Sequence, residues 1–182
     1  MENTVPKKYT ADDFFEMLPE TKEHLELHDG EIVALASPNV LHHDIATELF
    51  TELRSYIRSK GGSGKPFLAP LDVKLDDQNV VQPDVFVVCD RDKIDSKRIN
   101  GAPDLVIEIM SSNRYIDLFR KLDLYSRLGV REYWIVDPRD RKTIVYFFEQ
   151  TDYPQIFTFD DSIPVGIFGG ELSIAISGLI NG

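Results

Sequence analysis

The sequence predicts an α/β (α+β) fold, a β-sheet with helices packed against it. Three observations carry that expectation. Two long stretches, near residues 38–60 and 113–129, repeat apolar residues at helical spacing. Several short apolar runs, "DVFVVC", "DLVIEIM" and "EYWIVDP", have the length of buried strands and end at turn or charged residues. The resulting order is helix, hairpin, helix, strands, helix, strands, which suits helices laid on a sheet.

Taken in order, Thr10 can cap a short first helix, "ADDFFEML", which Pro19 follows. "EHLELHDGEIVALAS" reads as a hairpin turning at Asp29-Gly30. "PNVLHHDIATELFTELRSYIRSK" is an amphipathic helix with Ile45, Leu49, Leu53, Tyr56 and Ile57 as its stripe, stopped by Gly61-Gly62. "KPFLAPLDVKL" and "QPDVFVVC" are expected as strands on either side of the polar turn "DDQN", and a charged loop leads to "PDLVIEIM". "NRYIDLFRKLDLYSRLG" is a second long helix, capped by Ser112 or Asn113 and stopped near Gly129. Its expected buried stripe is Tyr115, Leu118, Phe119, Leu122 and Tyr125. "REYWIVDP" is a strand ended by Pro138, with "KTIVYFFEQ" as its hairpin partner, and the tail holds short β segments and ends apolar.

The 182 residues show no repeat or linker, so one domain over 1–182 is expected. No apolar run is long enough to cross a membrane, and the first residues lack the apolar stretch of a signal peptide, so a cytoplasmic location is expected. The single cysteine, Cys89, excludes an internal disulfide and a cysteine-rich metal site. It reads as a small buried hydrophobe. The formal charge of −11 is a poor overall match to nucleic acid, so phosphate binding would need a local basic patch or bound cations.

Two acids stand out. Asp84 lies at the mouth of one apolar run and Glu108 inside another. A buried, unpaired carboxylate costs on the order of several kcal/mol. The two strands are joined by one loop and are expected to be neighbours, which brings both carboxylates to one place. Side chains alternate along a strand, so Glu108 shares a face with Val106 and Met110, and Ile107 and Ile109 point the other way. Like charges that close need a counter-charge. A hard divalent cation supplies it, and Mg²⁺ takes one or two carboxylates with water and a phosphate. The competing reading is a salt bridge from each acid to an Arg or Lys. Lys121, at the border of the second helix's stripe, can run its stem over the core and present its ammonium beside the strand ends.

Proline-aspartate at a strand start and a Glu within an apolar strand resemble the PD-(D/E)XK nuclease core. The usual lysine position, two residues after the Glu, holds Met110. The segments "HLELHDGEIV", "SPNVLHHDI", "QPDVFVVC", "PDLVIEIMSS" and "RKLDLYSRLGVREYWIVDP" together are similar to one branch, the Uma-two family of restriction-endonuclease-like proteins, in which the lysine has moved to the following helix. Lys121 falls at that place. A local departure is "SSNR", where the family usually has a proline after the serine.

The resemblance implies a restriction-endonuclease-like core, a mixed β-sheet flanked by helices, with an added N-terminal helix and hairpin. It implies Mg²⁺-dependent hydrolysis of DNA phosphodiesters, with Mn²⁺ as a substitute. Asp84, Glu108 and the Ile109 carbonyl would hold the metal, and Lys121 would assist the attacking water. Glu26 alternates with Leu25 and Leu27, so it is expected to turn away from the core and to reach the metal through water. His42, Arg114 and Arg120 are candidate substrate contacts, and His43 is left to the surface. The half containing Lys121 is locally basic, with Arg114, Arg120, Arg127 and Arg131 against Asp117 and Asp123. Double-stranded DNA is the expected partner, and a homodimer would suit cleavage of both strands. A nuclease-fold protein acting as a nucleic-acid-binding or assembly module is the alternative. A metal-free carboxylate-pair hydrolase is a third reading, separated by activity that survives chelator.

Overall fold

Strand β8 (Leu105–Ile109) is buried along its whole length and lies at the centre of the main sheet. The structure, a computed structural model, describes residues 7–17, 24–35, 37–61, 64–111 and 115–180, leaving out the side chains of 115–117. On one side β8 pairs antiparallel with β6 (Val85–Val88), which pairs with the edge strand β3 (Lys65–Leu68). On its other side β8 runs parallel to β9 (Glu132–Asp137). Beyond β9 lie β10 (Lys142–Phe147) and β11 (Gln155–Thr158), both antiparallel. The result is a mixed six-stranded sheet, as the resemblance implied.

Alternation on β8 sorts its side chains into two layers. Leu105, Ile107 and Ile109 join Val85, Val87, Trp134 and Val136 beneath helix α2 (Val40–Lys60), which contributes Ile45, Leu49, Leu53 and Ile57. Val106 joins Phe86, Tyr133 and Ile135 beneath helix α3 (Tyr115–Arg127), which contributes Leu118, Leu124 and Tyr125. Each such Leu, Ile or Val contributes roughly 1.5–3 kcal/mol by leaving water.

Helix α2 begins at Asn39, whose side chain accepts from the His42 amide, and ends at Gly61 in a left-handed conformation, φ 67°. The real stripe of α3 differs from the expected one. Leu124 is buried and Phe119 is 69% exposed, so the covered face is turned away from Phe119. The expected N-caps, Ser112 and Asn113, lie outside the described residues, as do Pro19 and Gly62.

A second sheet joins the N-terminal hairpin to three strands between residues 73 and 100. The hairpin of β1 (Leu25–His28) and β2 (Glu31–Ala34) turns at Asp29-Gly30, both at positive φ. Strand β1 also pairs with β5 (Asn79–Val81), β5 with β4 (Val73–Asp76), and β4 with the short β7 (Ile99–Asn100). The stretch "KPFLAPLDVKL" therefore forms two strands, β3 and β4, in different sheets, parted at Ala69-Pro70. "DDQN" holds the expected turn, at Asp77-Gln78, but that turn joins β4 to β5, which starts at Asn79 and precedes β6. Helix α1 (Ala11–Met17) packs Ala11 and Phe14 on Leu27 and Val80, with Thr10 and Asp13 bonding each other's amides at its start.

The tail forms a small ribbon of β12 (Ile163–Pro164) and β13 (Ser173–Ile174), then a short helix, α4 (Ile176–Ile180). Its Ile163, Val165, Ile174 and Ile176 fill the layer beneath α2, so the apolar end closes this chain's own core. Among the described residues, no helix is long and apolar enough to cross a membrane.

Candidate active site

The site lies where β6 begins and β8 ends. Val85 stands opposite Ile107, so Asp84, one residue earlier, comes level with Glu108. Asp84 Oδ2 accepts from the Ile109 amide at 2.8 Å and lies 3.0 Å from His42 Nε2, which the first turn of α2 presents. His42 is buried with Ile45 and Leu49, on the helix face read from the sequence.

Glu108 points into the layer beneath α3. Its Oε1 accepts from Lys121 Nζ at 2.9 Å and from the Tyr125 hydroxyl at 2.8 Å. Lys121 and Tyr125 are one helical turn apart, so one face of α3 delivers both donors. The sequence put Lys121 at the border of the stripe, and the structure buries it, 1% exposed. The reason is the hairpin, which lies across α3 and supplies Glu26. Glu26 is wholly buried, and its Oε1 accepts from Lys121 Nζ at 3.0 Å and from the Gln82 amide at 2.8 Å. Its Oε2 lies 2.8 Å from His28 Nε2. Glu26 thus meets Lys121 directly, where the sequence suggested a carboxylate turned away from the core that could reach a metal through water.

Burial pushes the Glu108 carboxyl up to about 7; Lys121 resists, while Asp84 and Glu26 add to the rise. Burial acts the same way on Glu26, but Lys121, His28 and the Gln82 amide outweigh it and hold that carboxyl down to about 2. Burial and then Glu108 raise the Tyr125 hydroxyl well above its ordinary range, so it remains a donor. Glu26 and Glu108 share one lysine, with Asp84 close by, and the group left short of positive charge is Glu108. Another buried acid, Glu132, makes the contrast. It accepts from Trp134 Nε1 at 2.7 Å and the Ile167 amide at 2.8 Å, at the start of β9 away from the site, and ties the tail to the sheet.

That shortage is what a cation would relieve. Among the described residues, neither Asp84 Oδ1 nor Glu108 Oε2 has a hydrogen-bond partner. No three His, Cys, Asp or Glu side chains among the described residues form a metal cage by themselves. The donors that would be offered to it are two carboxylates and, as the resemblance implies, the Ile109 carbonyl. A short, all-oxygen set fits Mg²⁺, which keeps several waters.

The remaining candidates are spread more widely. Arg120 is exposed on α3 and lines a cleft of about 600 Å³ with Lys8, His28, Glu31 and Phe119. Arg114 lies outside the described residues. His43 is exposed, as expected. The basic character of the α3 segment is largely neutralised within the chain. Arg127 bonds Asp29 and Asp123, and Arg131 bonds Asp104 and Glu149. Cys89 is half-buried, and burial followed by Asp104 pushes its thiol up to about 11, so it is inert.

Sequence reasoning missed two partners. Tyr125 was read only as core, although its spacing from Lys121 put its hydroxyl on the site side. His28 sits two residues from Glu26 on the same strand face, which was the available signal.

A family model described as "Putative restriction endonuclease", Uma2, matches residues 11–177. Among solved structures, one described as a putative nuclease from Anabaena variabilis is 26% identical. The alignment covers 94% of this chain and 97% of that one, with a TM-score of 0.79. No curated protein matches the chain. With a family model covering nearly its whole length and a nuclease-like fold to go with it, the chain belongs to the Uma2 family.

Proposed function

We propose that this protein is a divalent-cation-dependent nuclease that hydrolyses phosphodiester bonds of DNA, with duplex DNA as substrate. The observation that carries the reading is the meeting of Asp84, Glu108 and Lys121 at the ends of β6 and β8, short of one positive charge. Asp84, Glu108 and the Ile109 carbonyl are the cation's ligands. These residues would hold Mg²⁺ or Mn²⁺, which would supply a more acidic water and positive charge beside the phosphate.

The chain's own residues do the rest. The His42 ring and Ile109 amide fix the Asp84 carboxylate, leaving its other oxygen outward. Glu26 and Glu108 accept from the Lys121 ammonium and fix its position. Lys121 orients the attacking water and offsets charge that develops on the phosphoryl oxygens. Glu26 in turn is held by His28 and the Gln82 amide, so the lysine is gripped from the hairpin side as well.

One observation favours a second reading, a nucleic-acid-binding or assembly module with little cleavage. The net charge is −11, and Arg127 and Arg131 are paired to acids within the chain. Supercoiled plasmid nicking in Mg²⁺ or Mn²⁺ separates the two. Cleavage by the wild type that stops in chelator, in Glu108→Ala and in Lys121→Ala is the expected result. Equal cleavage by all three proteins removes the site assignment, and no cleavage by any favours the module.

A further inference from the structure

A second constellation lies at the other end of α2. A cleft of about 360 Å³ is lined by Arg54 and Arg58 of α2, Lys65 at the start of β3, and Arg91 from the turn after β6. Ile57 and Pro66 form part of its apolar wall, and among the described residues no carboxylate lines it. This is unexpected in a chain where acids outnumber bases 31 to 20. Several basic residues elsewhere are paired to acids: Lys74 with Asp77, Arg127 with Asp29, Arg131 with Asp104. Among the described residues, Arg54, Arg58 and Lys65 have no carboxylate partner. Arg54 lies over the Phe50 ring and Lys65 over Phe67.

Gathering these cations has a cost. Arg54 and Arg58 are one helical turn apart, and like charges at that spacing destabilise a helix by a few tenths of a kcal/mol. A helix C-terminus favours cations, which accounts for Arg58 and for Lys60 beside it. Lys60 has a partner of its own, Glu171, at 2.9 Å. The dipole does not account for Lys65 and Arg91, which come from other elements and converge on the same hollow.

We propose that this cleft is a second phosphate-binding site, distinct from the catalytic carboxylates. Arg guanidinium groups match phosphate oxygens in paired fashion, and a flanking lysine adds a point charge. Sixteen residues of α2 separate His42 from Arg58, roughly 24 Å at the helical rise. The phosphodiester being cut cannot occupy both places. The ligand is either a backbone phosphate of the bound nucleic acid about seven base pairs from the cut, at 3.4 Å per step, or a free polyphosphate. Only the first source rests on the nuclease reading.

The test uses the full chain and two probes, inorganic tripolyphosphate by calorimetry and a labelled 24-base-pair duplex by anisotropy. The variants are Arg54→Gln/Arg58→Gln and, on the other wall, Lys65→Gln/Arg91→Gln. All four side chains are exposed, so unchanged melting confirms that the variants fold. The expected result is tripolyphosphate binding by the wild type that each double variant loses. Duplex affinity should then fall about tenfold, with the slope of log affinity against log salt smaller by about 2. Loss of tripolyphosphate binding with unchanged duplex affinity keeps the site and assigns it to a free polyphosphate. A wild type that binds no tripolyphosphate, or variants that bind it equally, overturns the proposal. Plasmid nicking reports separately: its absence with phosphate binding intact counts against the nuclease alone.

Discussion

Lys121→Met removes the one cation that stands between Glu26 and Glu108 and keeps most of the side chain's volume. Lys121 Nζ lies 3.0 Å from Glu26 and 2.9 Å from Glu108, and the side chain is 1% exposed. Breaking a buried ion pair by removing one partner costs about 3–5 kcal/mol, because the other charge stays buried and uncompensated. Two carboxylates are left here, so the upper part of that range is expected in metal-free protein. For a chain of this size that corresponds to a fall in Tm of roughly 10–20 °C. The loss should depend on pH. Glu108 already titrates at about 7 beside the lysine, and acid gives it a proton that relieves the repulsion. Urea unfolding with chelator at about pH 5.5 and about pH 8.5 measures both effects, the loss being larger at the higher pH. A loss below about 1 kcal/mol at both values would refute the claim that Lys121 neutralises a buried carboxylate cluster.

Other expectations follow from the same geometry. Glu108 sits at about 7 against an ordinary 4.5, so the folded chain keeps a proton that the unfolded chain loses over that interval. Stability from this group is full below the lower value and lost as pH rises through the upper one. Glu108→Gln should therefore flatten the decline and raise metal-free stability above neutrality by about 1–3 kcal/mol, while abolishing cleavage. Glu26, held at about 2, works in the opposite sense. Its stabilisation is present above 4.5 and lost as pH falls toward 2, so Glu26→Gln should be weaker at neutrality and less acid-sensitive in denaturant titrations. His42→Gln loosens Asp84 and should lower cation affinity about 10–100-fold with little change in Tm. Gly166→Ala is the structural control. A Cβ there would stand 2.7 Å from Phe147 Cδ1, so unfolding should be easier by about 1–3 kcal/mol with cation affinity unchanged.

The two acids were legible because a charged residue in a buried strand breaks an otherwise uniform pattern. The neighbouring of β6 and β8 was legible because one short segment joins them, although that segment reads as a charged loop and in fact carries β7. The alternation that put Glu108 with Val106 and Met110 is the alternation observed. What could not be read was the hairpin lying across α3. Periodicity on α3 alone made Lys121 a border residue and Phe119 a buried one. The covered face follows the partner that packs on it, and that partner is 95 residues away from Lys121 in sequence. The split of residues 65–76 between two sheets was hidden for a similar reason. Continuous apolar character marks strands but does not say which sheet each joins. The tail's short helix carries no charge pattern or cap that would separate it from a strand.

The central claim is that Asp84 and Glu108 hold a divalent cation beside Lys121. Calorimetric titration of Mn²⁺ into the wild type, Asp84→Asn and Glu108→Gln tests it without relying on catalysis. One site in the wild type that is lost or much weakened in each variant is the expected result. Wild-type affinity in both variants, or no binding to any of the three, would contradict it.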